Sequence, residues 1–509
     1  MQSTSQESID ASDPTPAERL AAPVWGLAAL IAALGSWVLY RADLGVNFPL
    51  VIALGAIALL GLRAGRGGWR DAGILVPAGA ALVLAVAVAV TTDVELEVLL
   101  ILTVGWLAAR AVLAAAGAPL AAAGRVKLLG VPFLASRLVA SETAERVGDG
   151  VRSIGDGRHL AATRGLAWAL PIVAAFFVLL AEAEPIFGAA RTALVATLED
   201  LSFLPRLAFF ATLGCVALGT FGLAAGGRGR EFEARAVRAR VPNRTVTERT
   251  IILAAVVALF AVFLALELAH LFGDPGGRPG SGLTYADAVH RGFGELTLVV
   301  SLSALLVIAL DRSALRGRGE RRVRGLTWLL LAECLLMLVS AWHRLTAYEA
   351  AYGYTVWRVE VHLYMVFVAT AIAFLLRETV GGVDPARLGR RTLGAAVAML
   401  AFAAYWNVPA WVVERNITRS FTSHRLDAAY LVAGLGDDAL PALERGLPRV
   451  ESALQTDVLC WLHVGRTLGR YGGAPGEWYE WNFRRAAAAA ARERLLRLPV
   501  QCPDPSAEP

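Results

Sequence analysis

Long apolar runs alternate with short polar segments along most of the chain. A helix needs about 20 apolar residues to cross the hydrocarbon core of a bilayer, with about 17 as the lower limit. The pattern therefore predicts an all-α, polytopic helical membrane protein with about eleven transmembrane helices. The predicted spans are residues 24–40, 48–62, 73–90, 97–117, 166–182, 206–225, 250–272, 292–311, 326–342, 358–376 and 392–412. The short second span is expected to begin at Asn47 and Pro49, since asparagine caps helix N-termini and proline fits the first turn.

Basic residues separate the connecting loops into two alternating sets. Short cytoplasmic loops accumulate lysine and arginine, and exported loops do not. One set of loops contains twenty-seven basic residues and the other only four: Arg41, Arg191, Arg278 and Arg344. This asymmetry predicts an N-terminus in the cytoplasm and, with an odd number of spans, an exported C-terminal region.

Three regions follow from this topology. Residues 1–23 form a polar cytoplasmic tail without a signal-peptide pattern, residues 24–412 the transmembrane domain, and residues 413–509 an exported domain of short amphipathic helices. Cys460 and Cys502 both fall in this last region. A disulfide between them and two free thiols remain open alternatives, because sequence does not reveal whether their Cα atoms lie within bonding range.

The composition agrees with a bacterial cytoplasmic membrane protein. Of the 509 residues, 56% are hydrophobic, which is more than soluble cores of this length bury. The net charge of +5 follows from the arginine-rich loops, so we expect contact with anionic lipid and no nucleic-acid partner. The inner loop 118–165 contains "GDGVRSIGDG", which lacks the oxygen ligands of a calcium loop and the lysine of a phosphate cradle.

Ionisable residues cluster near the predicted outer ends of four spans. Charged groups within spans are costly and usually face protein or water, so they are candidates for function. The candidates for an outward polar pocket are Glu267, His270, Arg291, Glu295, Glu333, Arg358, Glu360 and His362. Arg358 and Glu360 are two residues apart and should face different neighbours, with Glu360 directed toward the eighth or ninth span.

The alternative is that these charges only mark the membrane interface or pair to fix helix register. This simpler explanation is favoured for His290, His343, Arg344 and Glu349, which flank an aromatic interface belt. We expect no metal site and no cofactor, because no helix carries a tight ligand spacing such as H-x-x-x-H.

Several segments resemble the bacterial multi-pass membrane proteins of domain-of-unknown-function family 4173, which is related to family 4153. They are "LGVNFPLV" (44–51), "AEPIF" (183–187), "GLTYADAVHRGFGEL" (282–296), "RLTAYEAAYGYTVWRVEVHLYMVF" (344–367), "LDAAYL" (426–431), "DDALPAL" (437–443) and "EWYEWNFRRA" (477–486). The sequence departs from the family pattern at Glu184, where aspartate is expected. The resemblance implies several membrane helices followed by an exported tail, and it brings no known activity.

Three functions fit this architecture. The first is binding or transport of a small molecule, ion or lipid at the outward pocket, although inverted repeats and paired broken helices are not evident. The second is an envelope sensor or scaffold whose exported domain binds an envelope protein partner. The third is an enzyme acting on a lipid-linked substrate, which is the weakest because the first outer loop is short and no G-x-S-x-G motif occurs.

Overall fold

The computed structural model describes residues 16–64, 71–117, 131–152, 203–226, 246–272, eight positions between 300 and 310, 318–381, 383–467 and 476–502. These residues form helices, turns and loops, and none of them belongs to a strand. The helices of the first part are α1 (Pro16–Leu39), α2 (Asn47–Ala64), α3 (Ala72–Val88), α4 (Val94–Ala115), α5 (Val131–Arg152) and α6 (Phe203–Gly226). The later helices are α7 (Val246–Phe272), α8 (Arg318–Tyr352), α9 (Val356–Gly381), α10 (Pro385–Trp406), α11 (Val408–Ser423), α12 (Leu440–Gly446), α13 (Ser452–Thr467) and α14 (Phe483–Leu496).

Six described helices are long and apolar enough to cross a membrane: α2, α4, α6, α7, α8 and α9. The bent pair of α10 and α11 makes a seventh if it counts as one span. The apolar stretches of α1 and α3 are shorter. The predicted span 166–182 and most of 292–311 lie outside the described residues, so the described chain contains six or seven candidate spans rather than the predicted eleven.

The start of α2 is as predicted. α2 begins at Asn47, whose side chain is fully buried. Its Oδ1 accepts hydrogen bonds from the backbone N–H groups of Gly45 (2.8 Å) and Phe48 (2.9 Å), and its Nδ2 donates to the carbonyl of Val38 (2.8 Å). One amide side chain therefore satisfies backbone groups at the end of α1 and at the start of α2.

The first of two compact units comprises residues 1–86, 104–120 and 129–236. In it α1, α2 and α5 pack around α6. The close approach of α5 and α6 requires Gly219 and Gly222, where a Cβ would lie 2.3 Å from atoms of α5. Thr143 of α5 donates to the carbonyl of Cys215 at 2.8 Å, and Arg146 to that of Gly222 at 3.3 Å.

Helix α5 corrects the interpretation of residues 118–165 as a loop. Its polar residues lowered the local hydropathy, although they pair within the fold: Arg146 lies 2.8 Å from Glu142, one turn earlier. The first Gly-Asp-Gly triplet, residues 148–150, lies within this helix, and the second lies outside the described residues. A helical triplet does not form the turn that a calcium loop requires.

The second unit comprises residues 87–103, 121–128 and 237–509 and contains two hydrophobic cores. One core lies among α7, α8, α9 and α10 and includes Leu330, Ile372 and Leu375. The other lies in the C-terminal region, and it includes Val412 and Ile417 of α11 together with residues of α12, α13 and α14.

Helix α11 changes the expected boundary of the last span. The predicted span 392–412 is broken at Asn407, which adopts a left-handed conformation (φ 57°), and α10 and α11 meet at 57°. Asn407 caps α11 by accepting the N–H of Ala410 at 3.1 Å. The apolar side chains of Val408 and Val412 pack into the C-terminal core. The described residues from 408 onward, which pack around this core, are called the C-terminal domain below.

Glu378 joins the ends of α9 and α10 that lie away from the C-terminal core. Its side chain is 4% exposed, and its carboxylate pairs with Arg391 and lies 3.3 Å from Nε of Arg387. Trp328 of α8 donates to the hydroxyl of Thr379 at 2.9 Å. Two of the arginines that predicted an inner loop therefore also bind a buried carboxylate.

We expect Glu378→Gln to lower the unfolding free energy by about 1–3 kcal/mol, because both arginines lose their buried carboxylate partner. The loss is limited because Arg387 and Arg391 are partly exposed and can be hydrated instead. Thermal unfolding in detergent measures this change. The control is Glu414→Gln, whose partner Arg445 lies 3.8 Å away at an exposed site, where less than about 1 kcal/mol is expected. Equal effects of the two variants would contradict a structural role for Glu378.

Candidate functional site: a polar junction between the C-terminal domain and two hairpin tips

The tip between α3 and α4 binds the C-terminal domain through one buried carboxylate. Asp438 is 2% exposed. It accepts hydrogen bonds from the backbone N–H of Thr92 at 3.1 Å, from the Thr92 hydroxyl and from the Thr91 hydroxyl at 3.3 Å. Arg484 of α14 forms an ion pair with the same carboxylate at 2.9 Å, and its side chain is only 12% exposed. The charge of Asp438 is therefore compensated by one cation and by donors of the tip.

Asn482 makes a second connection beside this ion pair. Its Nδ2 donates to the carbonyls of Val88 (3.2 Å) and Thr91 (2.8 Å), and its Oδ1 caps α14 by accepting the backbone N–H groups of residues 484 and 485. The N–H of Phe483 donates to the carbonyl of Ala89 at 3.0 Å. The C-terminal domain thus supplies donors to the carbonyl of Val88, the last residue of α3, and to those of Ala89 and Thr91 just beyond it.

The tip between α8 and α9 is bound by α11 in a similar way. Asn416 accepts the N–H of Tyr354 at 2.9 Å and donates to its carbonyl at 2.8 Å. Arg419 donates to the carbonyls of Ala350 and Ala351 at the end of α8. Gly353 turns the chain here with φ 89°, and a Cβ on it would lie 2.9 Å from the Asn416 amide oxygen. Glycine is required both by the conformation and by this close approach.

Tyr430 completes the contact at the start of α9. Its hydroxyl accepts the N–H of Val356 at 2.9 Å. Burial raises the pKa of Tyr430, so the hydroxyl remains protonated over the physiological range. This bond satisfies one of the free N–H groups in the first turn of α9.

We expect Tyr430→Phe to destabilise the docked α8–α9 tip by about 1–3 kcal/mol, because the N–H of Val356 loses its acceptor while the ring is retained. Amide exchange of the peptide around Val356 measures this loss as faster exchange. Tyr352→Phe is the matched control, since Tyr352 is 56% exposed. An unchanged exchange rate at Val356 would show that the hydroxyl does not hold this tip.

The structure distributes the predicted pocket residues over several places. Glu267 and His270 lie on α7, but their side chains are outside the described residues, as are Arg291 and Glu295 altogether. Glu333 is buried within α8, and its Oε2 has no hydrogen-bond partner among the described residues. Arg358 and His362 lie together, because Nδ1 of His362 lies 3.0 Å from the carbonyl oxygen of Arg358.

Arg358 and His362 form a cluster with Glu349, which the sequence had assigned to the interface. Glu349 is 4% exposed, and its Oε1 lies 3.6 Å from Nδ1 of His362. The Arg358 guanidinium lies 4.5 Å from the Tyr348 ring centre and donates to the carbonyl of Gly353. The ring of His362 contacts that of Trp342 edge-on, with centroids 4.2 Å apart. A buried acid, a guanidinium and an imidazole therefore meet beside the junction.

Glu360 has acidic neighbours at the start of α4. It is half-buried and lies near enough to Asp93 and Glu95 to interact with their charges. Arg358 and Glu360 also both lie within electrostatic range of Tyr430, so their having different neighbours and the direction of Glu360 toward the eighth or ninth span stay predictions. The described residues contain no group of three potential metal ligands.

Cys460 and Cys502 are joined by a disulfide with their Cα atoms 5.5 Å apart. The bond links α13 to the segment after α14, whose Val500 packs against the C-terminal core. The other two cysteines are free: Cys215 is exposed and Cys334 is buried. The bridge thus holds the end of the described chain against the C-terminal domain.

The segments that carry the family resemblance converge on the junction. Gly353 and Tyr354 come from segment 344–367, Tyr430 from 426–431, Asp438 from 437–443, and Asn482 and Arg484 from 477–486. The sequence analysis did not name Asp438, Asn482 or Arg484 as site residues. Their presence in resembling segments outside the spans was the available signal.

Comparison with known proteins assigns a family without an activity. A family model described as a domain of unknown function (DUF4153) matches residues 50–446. No curated protein and no solved structure matches the chain. The matched residues run from within α2 to the end of α12 and thus include both hairpin tips and Asp438 of the junction. Because this match covers well over half of the chain, the protein belongs to the DUF4153 family of proteins with a domain of unknown function.

Proposed function

We propose that the protein is a multi-pass protein of the bacterial cytoplasmic membrane, with about eleven spans and an exported C-terminal domain. The two tips that bind this domain, residues 88–94 and 353–355, fall in predicted arginine-poor outer loops. The two tips and the C-terminal domain are thus assigned to the same, outer side of the membrane. The Cys460–Cys502 disulfide supports the same side, since such bonds persist in oxidising compartments. We also propose the closer relation to family 4173. It rests on the segment "EWYEWNFRRA", which resembles that family and lies beyond residue 446, where the DUF4153 match ends.

We infer that the protein is an envelope sensor or scaffold, in which the exported domain binds an envelope partner and is coupled to the membrane helices. The observation that carries this proposal is the Asp438 junction, where one buried carboxylate joins α14 to the α3–α4 tip. Coupling requires a physical element that responds at both ends. Helix α9 is such an element: Tyr430 binds its first turn, and Glu378 holds its last turn to α10.

Amide exchange across the membrane tests this coupling. Asp438→Asn is compared with Glu451→Gln, which removes a carboxylate from an exposed pair with His424. We expect Asp438→Asn to change exchange both at the tips and in the peptide 377–391 at the opposite end of α9 and α10. A change in amide exchange that is confined to residues 88–94 and 350–358 would refute the coupling. The exchange of the spans would then be independent of whether the C-terminal domain is docked.

A second candidate function is binding of a small ligand beside the junction. One observation favours it: Oε1 of the buried Glu349 has no hydrogen-bond partner among the described residues, although Arg358 and His362 lie next to it. Buried polar atoms normally have a partner. Native mass spectrometry in nanodiscs should then reveal a retained species that is lost in Glu349→Gln and kept in Glu360→Gln. A spectrum without any retained species in the wild-type protein would exclude this candidate.

A further inference from the structure

Three large aromatic side chains are exposed in a six-residue segment of the C-terminal domain. Trp478 is 62% exposed, Trp481 44% and Phe483 57%, whereas the intervening Asn482 is 1% exposed. Exposed aromatic rings in such a density mark a surface that contacts something apolar. The segment 478–483 is called the aromatic strip below.

Backbone geometry places the three rings on one side. Trp478 begins a 3₁₀ turn, and side chains three residues apart in such a turn eclipse each other. The side chain of Trp481 therefore points in about the same direction as that of Trp478. Asn482 is extended (φ −121°, ψ 126°), and the residues on either side of an extended residue point to the same side. Phe483 therefore shares the face of Trp481, opposite to the buried Asn482.

The aromatic strip is held at the ends of apolar helices. The backbone N–H of Phe483 donates to the carbonyl of Ala89 just beyond the end of α3. The neighbouring Arg484 donates to the carbonyls of Ala404 and Tyr405 in the last turn of α10. α10 itself exposes Phe402 and Tyr405 there, at 52% and 44%. The exposed aromatic surface thus continues from the strip onto the end of a membrane-domain helix.

We propose that the aromatic strip is a membrane anchor that lies in the headgroup–acyl boundary of the same leaflet in which α3 and α10 end. Tryptophan is enriched at this boundary, because its ring is apolar while its N–H remains hydrated. The occupant is phospholipid rather than a protein, since the strip is hydrogen-bonded next to the ends of the apolar helices α3 and α10, and the end of α10 itself exposes Phe402 and Tyr405. The anchor supplies a contact to the bilayer that is independent of the coupling function.

Photo-crosslinking in native membranes tests this proposal and distinguishes lipid from protein. The full-length chain carries p-benzoylphenylalanine at position 478, 481 or 483, and the products are identified by intact mass. The control position is Arg497, which is 73% exposed at the other end of α14 and roughly 21 Å away along the helix axis. All four substitutions replace exposed side chains, so folding should be retained.

We expect phospholipid adducts at the three strip positions, several-fold above the level at position 497. Adducts with another protein would overturn the proposal and make the strip a partner-binding surface. Absence of adducts, or equal lipid adducts at position 497, would also overturn it, because the rings would then face water or the whole domain would contact lipid without selectivity.

Discussion

Asp438→Asn is expected to release the C-terminal domain from the α3–α4 tip at a cost of about 3–5 kcal/mol, the usual loss when one partner of a buried ion pair is removed. The substitution keeps the size of the side chain but leaves the Arg484 guanidinium, 12% exposed, without its counter-ion. The new amide N–H₂ also faces hydroxyl and N–H donors of Thr91 and Thr92. Charge and hydrogen bonding therefore fail together.

The measurement is amide exchange at Thr92 and Phe483, whose N–H groups bond across this junction. If undocking controls their exchange, the rates should rise by about 2.2 to 3.7 powers of ten, since 1.36 kcal/mol corresponds to a factor of ten. The control Glu451→Gln removes an exposed carboxylate and should have little effect. Unchanged rates at Thr92 would show that the ion pair does not hold the tip.

A double-mutant cycle separates the ion pair from its surroundings. Arg484→Gln alone leaves Asp438 buried without a cation, and it also removes donors to the carbonyls of Ala404 and Tyr405. In the combined variant neither charge remains unpaired, so its loss should be smaller than the sum of the single losses. Strict additivity would mean that the two side chains act independently, in spite of their 2.9 Å contact.

The positions of the membrane helices could be predicted because the signal is local. The predicted span 358–376 lies within α9, residues 356–381, and the span 206–225 lies within α6. Length and hydropathy suffice for such elements. They did not suffice at the last span, since Val408 and Val412 are as apolar as residues that face lipid but pack into the C-terminal core. Hydropathy does not distinguish these two environments.

The junction could not be predicted for a different reason. Asp438 and Thr92 are 346 residues apart in sequence, and each alone resembles an ordinary polar residue near a helix end. The predicted pocket rested on ionisable residues at a common depth, but depth alone does not decide the direction in which a side chain points. The Arg358 guanidinium lies over the Tyr348 ring, whereas Glu360 lies within electrostatic range of Asp93 and Glu95.

Removal of the disulfide by Cys460→Ala with Cys502→Ala is expected to lower the unfolding free energy of the C-terminal domain by about 4 kcal/mol. The bond closes a loop with a sequence separation of 42, and chain-entropy arguments give about this value for a loop of that length. Amide exchange of α13 and α14 under increasing denaturant, in the full-length protein, measures the change. Cys215→Ala is the control, because this exposed free thiol lies in α6.

A loss below about 1 kcal/mol would mean that the packing of Val500 and its neighbours already holds the segment without the bond. A loss of the expected size that leaves exchange at Thr92 unchanged would show that the domain core and the Asp438 junction are stabilised separately.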